Sequence, residues 1–310
     1  MKIITLTLNP AFDIHCYVEK FAPYHENLAK ITDTEAGGKG VNISRALTAC
    51  GVENLAVVVL GEENGESFCK KLMADGMNYR ALTVAGRIRE NITIHTKDAD
   101  ETRISFSGFA LDTDLTDRLA DALQSEIDGQ TLVTFTGRVP SGLDMSAVKA
   151  FLRRLQAWGA RIVIDSRSFD LEDLVEMKPW LIKPNQEEIS EYLGRDIKTF
   201  EDVAQAAKDL YGQGIENVMI SLGAQGALLV CRDGAFVATP PRIEAISTIG
   251  AGDSSIGGFL AEAVRGASGE QMLCGAVSYG TAACMTEGTR PPRAEDVSAV
   301  RKQIEVTRME

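Results

Sequence analysis

The chain has 310 residues, 45% of them apolar and 25% charged, with a formal net charge of −12 at pH 7. This is ordinary composition for a globular protein with a large core, and the negative balance argues against nucleic acid or an anionic membrane as a partner. An acidic chain that binds an anionic ligand must gather its basic groups locally.

The opening MKIITLTLNPAFD has neither the long apolar segment nor the cleavage site of a secretory signal, so the expected location is the cytoplasm. Short apolar runs at 3–8, 55–60, 132–135, 161–164, 181–182 and 218–222 read as buried strands, all too short to span a bilayer. Helical patterns lie between them, for example Val148, Phe151, Leu152 and Leu155 behind Asp144 as N-cap. Alternation of this kind predicts an α/β fold with a mostly parallel sheet covered on both faces.

Two regions depart from the alternation. Residues 12–35 and 88–107 hold strand-like segments with no helix between them. Ile92 and Ile94 share one face of NITIHT, Ile104 and Phe106 share one face of RISFS, and the turn KDADE at 97–101 joins the two as a hairpin. Strands apolar on one side only suit a small sheet lying over a cleft, a lid without a core of its own. The last third reads as helical, at 251–265, 269–286 and 294–306. Six scattered cysteines, with no C-x-x-C, read as free thiols, and three histidines at 15, 25 and 95 do not make a zinc pattern with them.

Chemistry concentrates in glycine-rich turns. In TIGAGDSSIGGFLAEAV, Gly250, Ala251 and Gly252 stand at the entry to a helix whose apolar face is Ile256, Phe259, Leu260, Ala263 and Val264. The first backbone N–H groups of a helix are unpaired and carry partial positive charge, and small residues let an anion approach them. Asp253 then lies beside the anion without neutralising it, as suits a base that takes a proton from an incoming alcohol. A glycine turn with a helix-stabilising Asp accounts for the same residues taken alone.

EAGGKGVNISRAL places Gly37, Gly38, Lys39 and Gly40 before a second helix, with Asn42 one position beyond Val41, and it is not a P-loop because no Ser or Thr follows the lysine. Asn9, Pro10 and Asp13 follow the first strand, at the carboxyl end where open sheets hold ligands. Arg87, Arg89 and Arg103 lie in the lid and Arg138 follows the strand ending at Phe135. Each arginine alone reads as a solvated charge; together they meet the demand for local positive charge. In LIKPNQEEIS, Lys183 ends a strand, and Asn185 with Glu188 forms either a helix capping box or a functional pair, Glu188 holding Mg²⁺ through water and Asn185 lying near the nucleotide phosphates. ISLGAQGALLV, carrying Ser221, Gly223 and Gly226, is either a plain hairpin or the edge of an adenine pocket.

Taken together, TLNPAFD, GGKGVN, GRIRENITI, TGRVPSGL, IDSRS, KPNQEE, SLGAQGA, TIGAGDS and AVSYGTAACMTEGT resemble the phosphofructokinase-B group of the ribokinase-like superfamily almost end to end. The resemblance implies one ribokinase-like kinase domain over 1–310 with a three-layer α/β/α core. The β-sheet lid, at about 12–35 and 88–108, would be inserted in that core. It implies ATP- and Mg²⁺-dependent phosphorylation of a sugar hydroxyl, with a phosphosugar and ATP as partners. It also implies roles: Asp253 as base, the 250–252 backbone as anion hole, and Asp13, Gly38, Lys39, Asn42 and Arg89 on the sugar. Lys183, Asn185, Ser221, Gly223 and Gly226 would serve the nucleotide, and Glu188 the metal.

Three positions depart from the pattern of the fructose-1-phosphate and tagatose-6-phosphate kinase branch. Arg138 stands where a serine is usual, Arg167 where a glycine is usual, and the hairpin carries Arg103. Arg138 and Arg103 are therefore expected to help Lys39 and Arg89 hold the substrate's existing phosphate. The first expectation is fructose 1-phosphate as substrate, with tagatose 6-phosphate or fructose 6-phosphate next. The rivals are a kinase of an unphosphorylated sugar or nucleoside and a non-catalytic sugar-phosphate or nucleotide sensor. A dinucleotide oxidoreductase is disfavoured because no G-x-G-x-x-G follows the first strand. One-sided apolar lid strands also need cover, which a homodimer through the lid would provide.

Overall fold

A computed structural model describes residues 1–97, 101–111 and 114–309. In chain order its elements begin with strands β1 (Lys2–Thr7), β2 (Ala11–Tyr17) and β3 (Lys30–Gly37) and helix α1 (Lys39–Ala49). There follow β4 (Leu55–Gly61), α2 (Gly65–Ala74), β5 (Tyr79–Val84), β6 (Arg89–His95), β7 (Glu101–Ser105) and α3 (Leu115–Leu123). The central stretch is β8 (Thr131–Thr136), α4 (Met145–Ala157), β9 (Arg161–Asp165), α5 (Leu171–Met177), β10 (Leu181–Ile182), α6 (Gln186–Leu193) and α7 (Phe200–Gly212). The chain closes with β11 (Asn217–Ser221), β12 (Ala227–Cys231), β13 (Gly234–Thr239), α8 (Ala251–Ala263), α9 (Gly269–Ala283), α10 (Ala294–Arg301) and β14 (Glu305–Arg308).

Ten strands form one sheet in the order β14-β13-β12-β11-β10-β9-β8-β1-β4-β5, parallel from β11 to β5 and antiparallel at the β14 edge. Each expected buried strand is present in it. Side chains alternate between two cores, as the period of two requires. On β1, Ile4 and Leu6 pack with Phe68 of α2, Leu119 of α3, Leu152 of α4 and Val203 of α7. Ile3 faces the other way, toward Ile43 and Leu47 of α1 and Phe259 and Leu260 of α8. The sheet is therefore the middle of three layers. Asp144 caps α4 by accepting from the Ser146 N–H at 3.0 Å, as its place before the apolar stripe predicts.

The remaining four strands pair as β3-β2-β6-β7 in a second, small sheet. Its β6–β7 pair is the expected hairpin; the middle of its turn, 98–100, lies outside the described residues. One face is polar, with Asp13 paired to Asn91 and Thr93 paired to Arg103. The other is apolar and carries Ile92 opposite Ile104. Ile31, Ile104 and Phe106 stand exposed to 61%, 42% and 50%, so that side lacks cover in the single chain.

One expectation is corrected. The helix read over 294–306 ends at Arg301, and Glu305–Arg308 is instead an edge strand on β13. The alternation in EVTR suits a strand once Val237 and Ala238 are beside it, a partnership about seventy residues away that no local period reveals. Among the described residues, no helix is long and apolar enough to cross a membrane.

Candidate active site

The carboxyl ends of β1, β8, β9 and β10 open toward the start of α8, and there the main expectations converge. Gly250 caps α8 with φ 78°, a left-handed turn that glycine adopts without strain. The first backbone bond of the helix runs from Ser254 N–H to Gly250 C=O at 2.8 Å, leaving the Gly252 and Asp253 N–H groups at the open N-terminus. Asp253 is 7% exposed and accepts from Asn42 Nδ2 at 2.9 Å. Burial pushes its carboxyl up to about 6, although Lys39 and the Asn42 hydrogen bond pull the other way.

Asp165, at the end of β9, organises the cations. Its Oδ2 meets Lys39 Nζ at 2.8 Å and its Oδ1 meets Lys183 Nζ at 3.5 Å. Burial opposes its charge, but the two ammonium groups outweigh burial and hold its carboxyl below the usual range. Burial also works against the Lys39 charge, and Asp165 with Asp253 overcomes it, raising the lysine. Lys183 is buried, and a Cβ placed on Gly252 would lie 3.4 Å from its Nζ. Two fixed cations and a helix N-terminus thus surround one spot, with a carboxylate of raised pKa beside them. That set can bind a phosphoryl group and take a proton from an alcohol next to it.

A second cluster sits on the polar face of the small sheet. Asp13 accepts from Asn91 Nδ2 at 2.8 Å and lies 3.6 Å from Arg103 Nη2. A Cβ on Gly37 would fall 2.0 Å from Asp13 Oδ2, so the absence of a side chain there is what gives Asp13 its place. Since Lys39 is two residues further on, β3 and α1 join the two clusters. Arg89 is partly buried, and burial first, then the neighbouring Arg103, holds its pKa below the ordinary value despite Asp13. Asn9 Oδ1, Arg89 Nε and Asn91 Oδ1 are buried without a hydrogen-bond partner among the described residues, as groups that await a polar ligand would be. Arg138 is exposed after β8 and makes no ion pair among the described residues; the adjacent Gly137 N–H bonds to Asp165 C=O at 3.0 Å.

Along the sheet, Asn185 caps α6 and bridges to Ser221, bringing α6 beside the turn that carries Gly223 and Gly226. The capping box is real: Asn185 Oδ1 accepts from Glu188 N–H at 2.8 Å, and Glu188 Oε2 accepts from Asn185 N–H at 2.9 Å. Glu188 Oε1 accepts from Arg167 Nε at 2.9 Å. Each Glu188 oxygen thus already accepts one bond, which leaves direct ligation of a divalent ion in competition with the guanidinium and a hold through water as the arrangement these partners allow. Among the described residues, no group of three or more His, Cys, Asp or Glu is set to hold a metal.

Asp165 is not singled out by the sequence, and Gly37 is read there only as part of a glycine turn, not as the space that Asp13 occupies. The signal for Asp165 is its position, a lone carboxylate ending the apolar run RIVID at the ligand-bearing end of the sheet. Away from the site, a groove of about 700 Å³ runs beside β3, lined by charges already paired, such as Arg290 with Asp33 and Arg45 with Asp75.

The family model described as pfkB family carbohydrate kinase matches residues 7–296. A 1-phosphofructokinase of Escherichia coli (strain K12) is 34% identical over 272 residues, covering 88% of this chain and 87% of the relative. A 1-phosphofructokinase of Bacillus subtilis (strain 168) is 31% identical over 309 residues, 99% of this chain and all of the relative. A crystal structure of phosphofructokinase-2 from Escherichia coli in complex with substrates and products superposes with a TM-score of 0.92 at 28% identity, covering 98% of this chain and 99% of that one. The chain belongs to the pfkB family of carbohydrate kinases and is a phosphotransferase with a ribokinase-like fold.

Proposed function

We propose that this kinase transfers the γ-phosphoryl group of ATP to fructose 1-phosphate, giving fructose 1,6-bisphosphate and ADP. The observation that carries the reading is Asp253: a buried carboxylate with its pKa raised to about 6, beside two lysines and the open end of α8. At neutral pH it is mostly ionised and close enough in proton affinity to accept a proton late in a loose transition state. The C6 hydroxyl oxygen bonds to the γ-phosphorus, the bond from that phosphorus to the β–γ bridging oxygen breaks, and the hydroxyl proton passes to Asp253. The Gly250–Ala251–Gly252 turn forms the anion hole, with the open Gly252 and Asp253 N–H groups facing the moving phosphoryl, and Lys183 adds a fixed positive charge.

Asp13, oriented by Asn91, accepts hydrogen bonds from the sugar hydroxyls. Gly38, Lys39 and Asn42 line the sugar on the other side, and Arg89, Arg103 and Arg138 hold the phosphate it already carries. Arg89 and Arg103, neighbours on the polar side of the lid, favour a phosphorylated acceptor, because a neutral sugar gives them nothing to pair with. Asn185, Ser221, Gly223 and Gly226 serve the nucleotide. Magnesium enters with ATP and shields the triphosphate charge. Fructose 6-phosphate is the second reading, favoured by Arg103 beside Asp13 and by the likeness to a phosphofructokinase-2. We read the whole chain as one kinase unit, cytoplasmic, with the small sheet as its lid. The exposed Ile31, Ile104 and Phe106 support a homodimer in which two lids cover each other's apolar faces.

The test is ADP release with MgATP against free and phosphorylated ketohexoses. The reading expects fructose 1-phosphate to have the highest kcat/KM. Turnover confined to unphosphorylated sugars would overturn the substrate class, and no turnover with any of them would favour a sensor.

A further inference from the structure

The chain passes between the large sheet and the small one at a few crossings, and three of them converge on one point. Asn9 lies in the link from β1 to β2, Arg89 opens β6, and Gly108 lies in the segment between β7 and α3. A Cβ placed on Gly108 would stand 2.4 Å from Asn9 Oδ1 and 3.6 Å from Arg89 Cδ, so both side chains border the space that one methyl group would fill. Asn9 Oδ1 can only accept a hydrogen bond and Arg89 Nε can only donate one, and each is buried without a partner among the described residues. Buried polar groups are costly to leave unpaired, and here an acceptor and a donor lie beside the same glycine. The rest of the Arg89 guanidinium is loosely held, its Nη1 donating to Phe106 C=O at 3.5 Å.

We infer that Asn9 is a positioning residue for Arg89: its Oδ1 accepts from Arg89 Nε once the phosphate already on the sugar engages the outer nitrogens of the guanidinium. An arginine carried on a lid moves with the lid, so its fork needs a fixed reference to meet a phosphate at two points. Asn9 supplies one, because it follows β1, whose Ile3, Ile4 and Leu6 are fully buried in the main cores. The parallel pairing of β2 with β6 sets Ala11 opposite Arg89, which keeps Asn9, two residues earlier, close to that arginine. Gly108 is the other half of the device, since any side chain there would wedge between donor and acceptor. Asn9 touches no reacting atom and acts through Arg89. The inference rests on the proposed phosphosugar site, and not on the transfer of a phosphoryl group.

The experiment is titration calorimetry of the full-length protein with ATP and, separately, with whichever of fructose 1-phosphate and fructose 6-phosphate wild type binds more tightly. Asn9→Ala is expected to weaken the sugar phosphate by about tenfold, the scale of one charge-assisted hydrogen bond, and to leave ATP binding at its wild-type value. Arg89→Lys keeps the charge but has no Nε–H, so adding Asn9→Ala to it should change Kd by less than about twofold. Gly108→Ala, which sets a methyl between the pair, should weaken the sugar phosphate as Asn9→Ala does. Asn9→Asp, which keeps an acceptor, should bind it as wild type does. A merely structural Asn9 would disturb ATP binding too and would add its effect to that of Arg89→Lys. Unchanged sugar-phosphate binding in folded Asn9→Ala overturns the inference, and so do additive effects in the double variant. Coupled effects on binding in a protein that shows no turnover would sink the kinase reading and leave this inference standing. Failure of wild type to bind either sugar phosphate would sink both.

Discussion

Asp253→Asn separates what the fold wants from what the chemistry wants. The ordinary value for this carboxyl is 3.8 and burial pushes it to about 6. At 1.36 kcal/mol per pH unit, that gap amounts to ~3 kcal/mol. The folded pKa is raised, so the stabilisation from the protonated form is complete below about pH 4 and is lost as pH rises through about 6. At pH 7.5 the ionised Asp253 therefore costs the native state about 3 kcal/mol. Asparagine keeps an oxygen for Asn42 Nδ2 but cannot ionise. The variant should match wild type near pH 4, become more stable between pH 4 and 7, and hold a gain of about 3 kcal/mol above that. Denaturant unfolding followed by tryptophan fluorescence at a series of pH values measures the difference. Turnover of the same protein should fall by about 10²- to 10⁴-fold. A stability difference that is flat with pH would refute the electrostatic reasoning, and turnover at the wild-type rate would refute the assignment of the base.

Wild-type kcat should decline with a single-proton slope as pH falls through about 6, where Asp253 takes up its proton, and a profile flat to pH 5 would contradict this. Gly37→Ala places a methyl 2.0 Å from Asp13 Oδ2, so KM for the sugar phosphate should rise by about tenfold or more while KM for ATP stays put; steady-state kinetics in each substrate checks it. Arg138→Ser should raise KM for phosphorylated sugars by about tenfold, the worth of one charge-assisted contact, and an unchanged KM removes Arg138 from the site. Glu262, 6% exposed, is gripped by Arg301 at 2.6 and 3.1 Å and by Arg265 at 2.9 Å. Glu262→Gln should cost roughly 2 kcal/mol in thermal or denaturant unfolding, with kinetic constants near wild type.

Much of this architecture is legible in the chain because local physics suffices for it. Apolar runs bounded by turn residues give the buried strands, and the alternation Ile92, Ile94 against Ile104, Phe106 gives a sheet with one apolar side. The helix at 251–263 announces itself through its apolar face and its glycine entry. What cannot be read locally depends on partners far along the chain. Residues 305–308 become a strand only because β13 is beside them. Asp165 looks like any turn aspartate until Lys39, 126 residues earlier, closes on it. Glu188 fits a capping box and a metal position equally well in sequence; the capping box forms, and Arg167 takes the oxygen it leaves open.

The most direct test of the central claim is to mix the protein with MgATP and fructose 1-phosphate and follow the products by phosphorus NMR. The account predicts a new phosphate monoester on C6 of the sugar, appearing one for one with ADP. ADP accompanied only by inorganic phosphate, or a phosphorylated product formed from free fructose but not from fructose 1-phosphate, would contradict it.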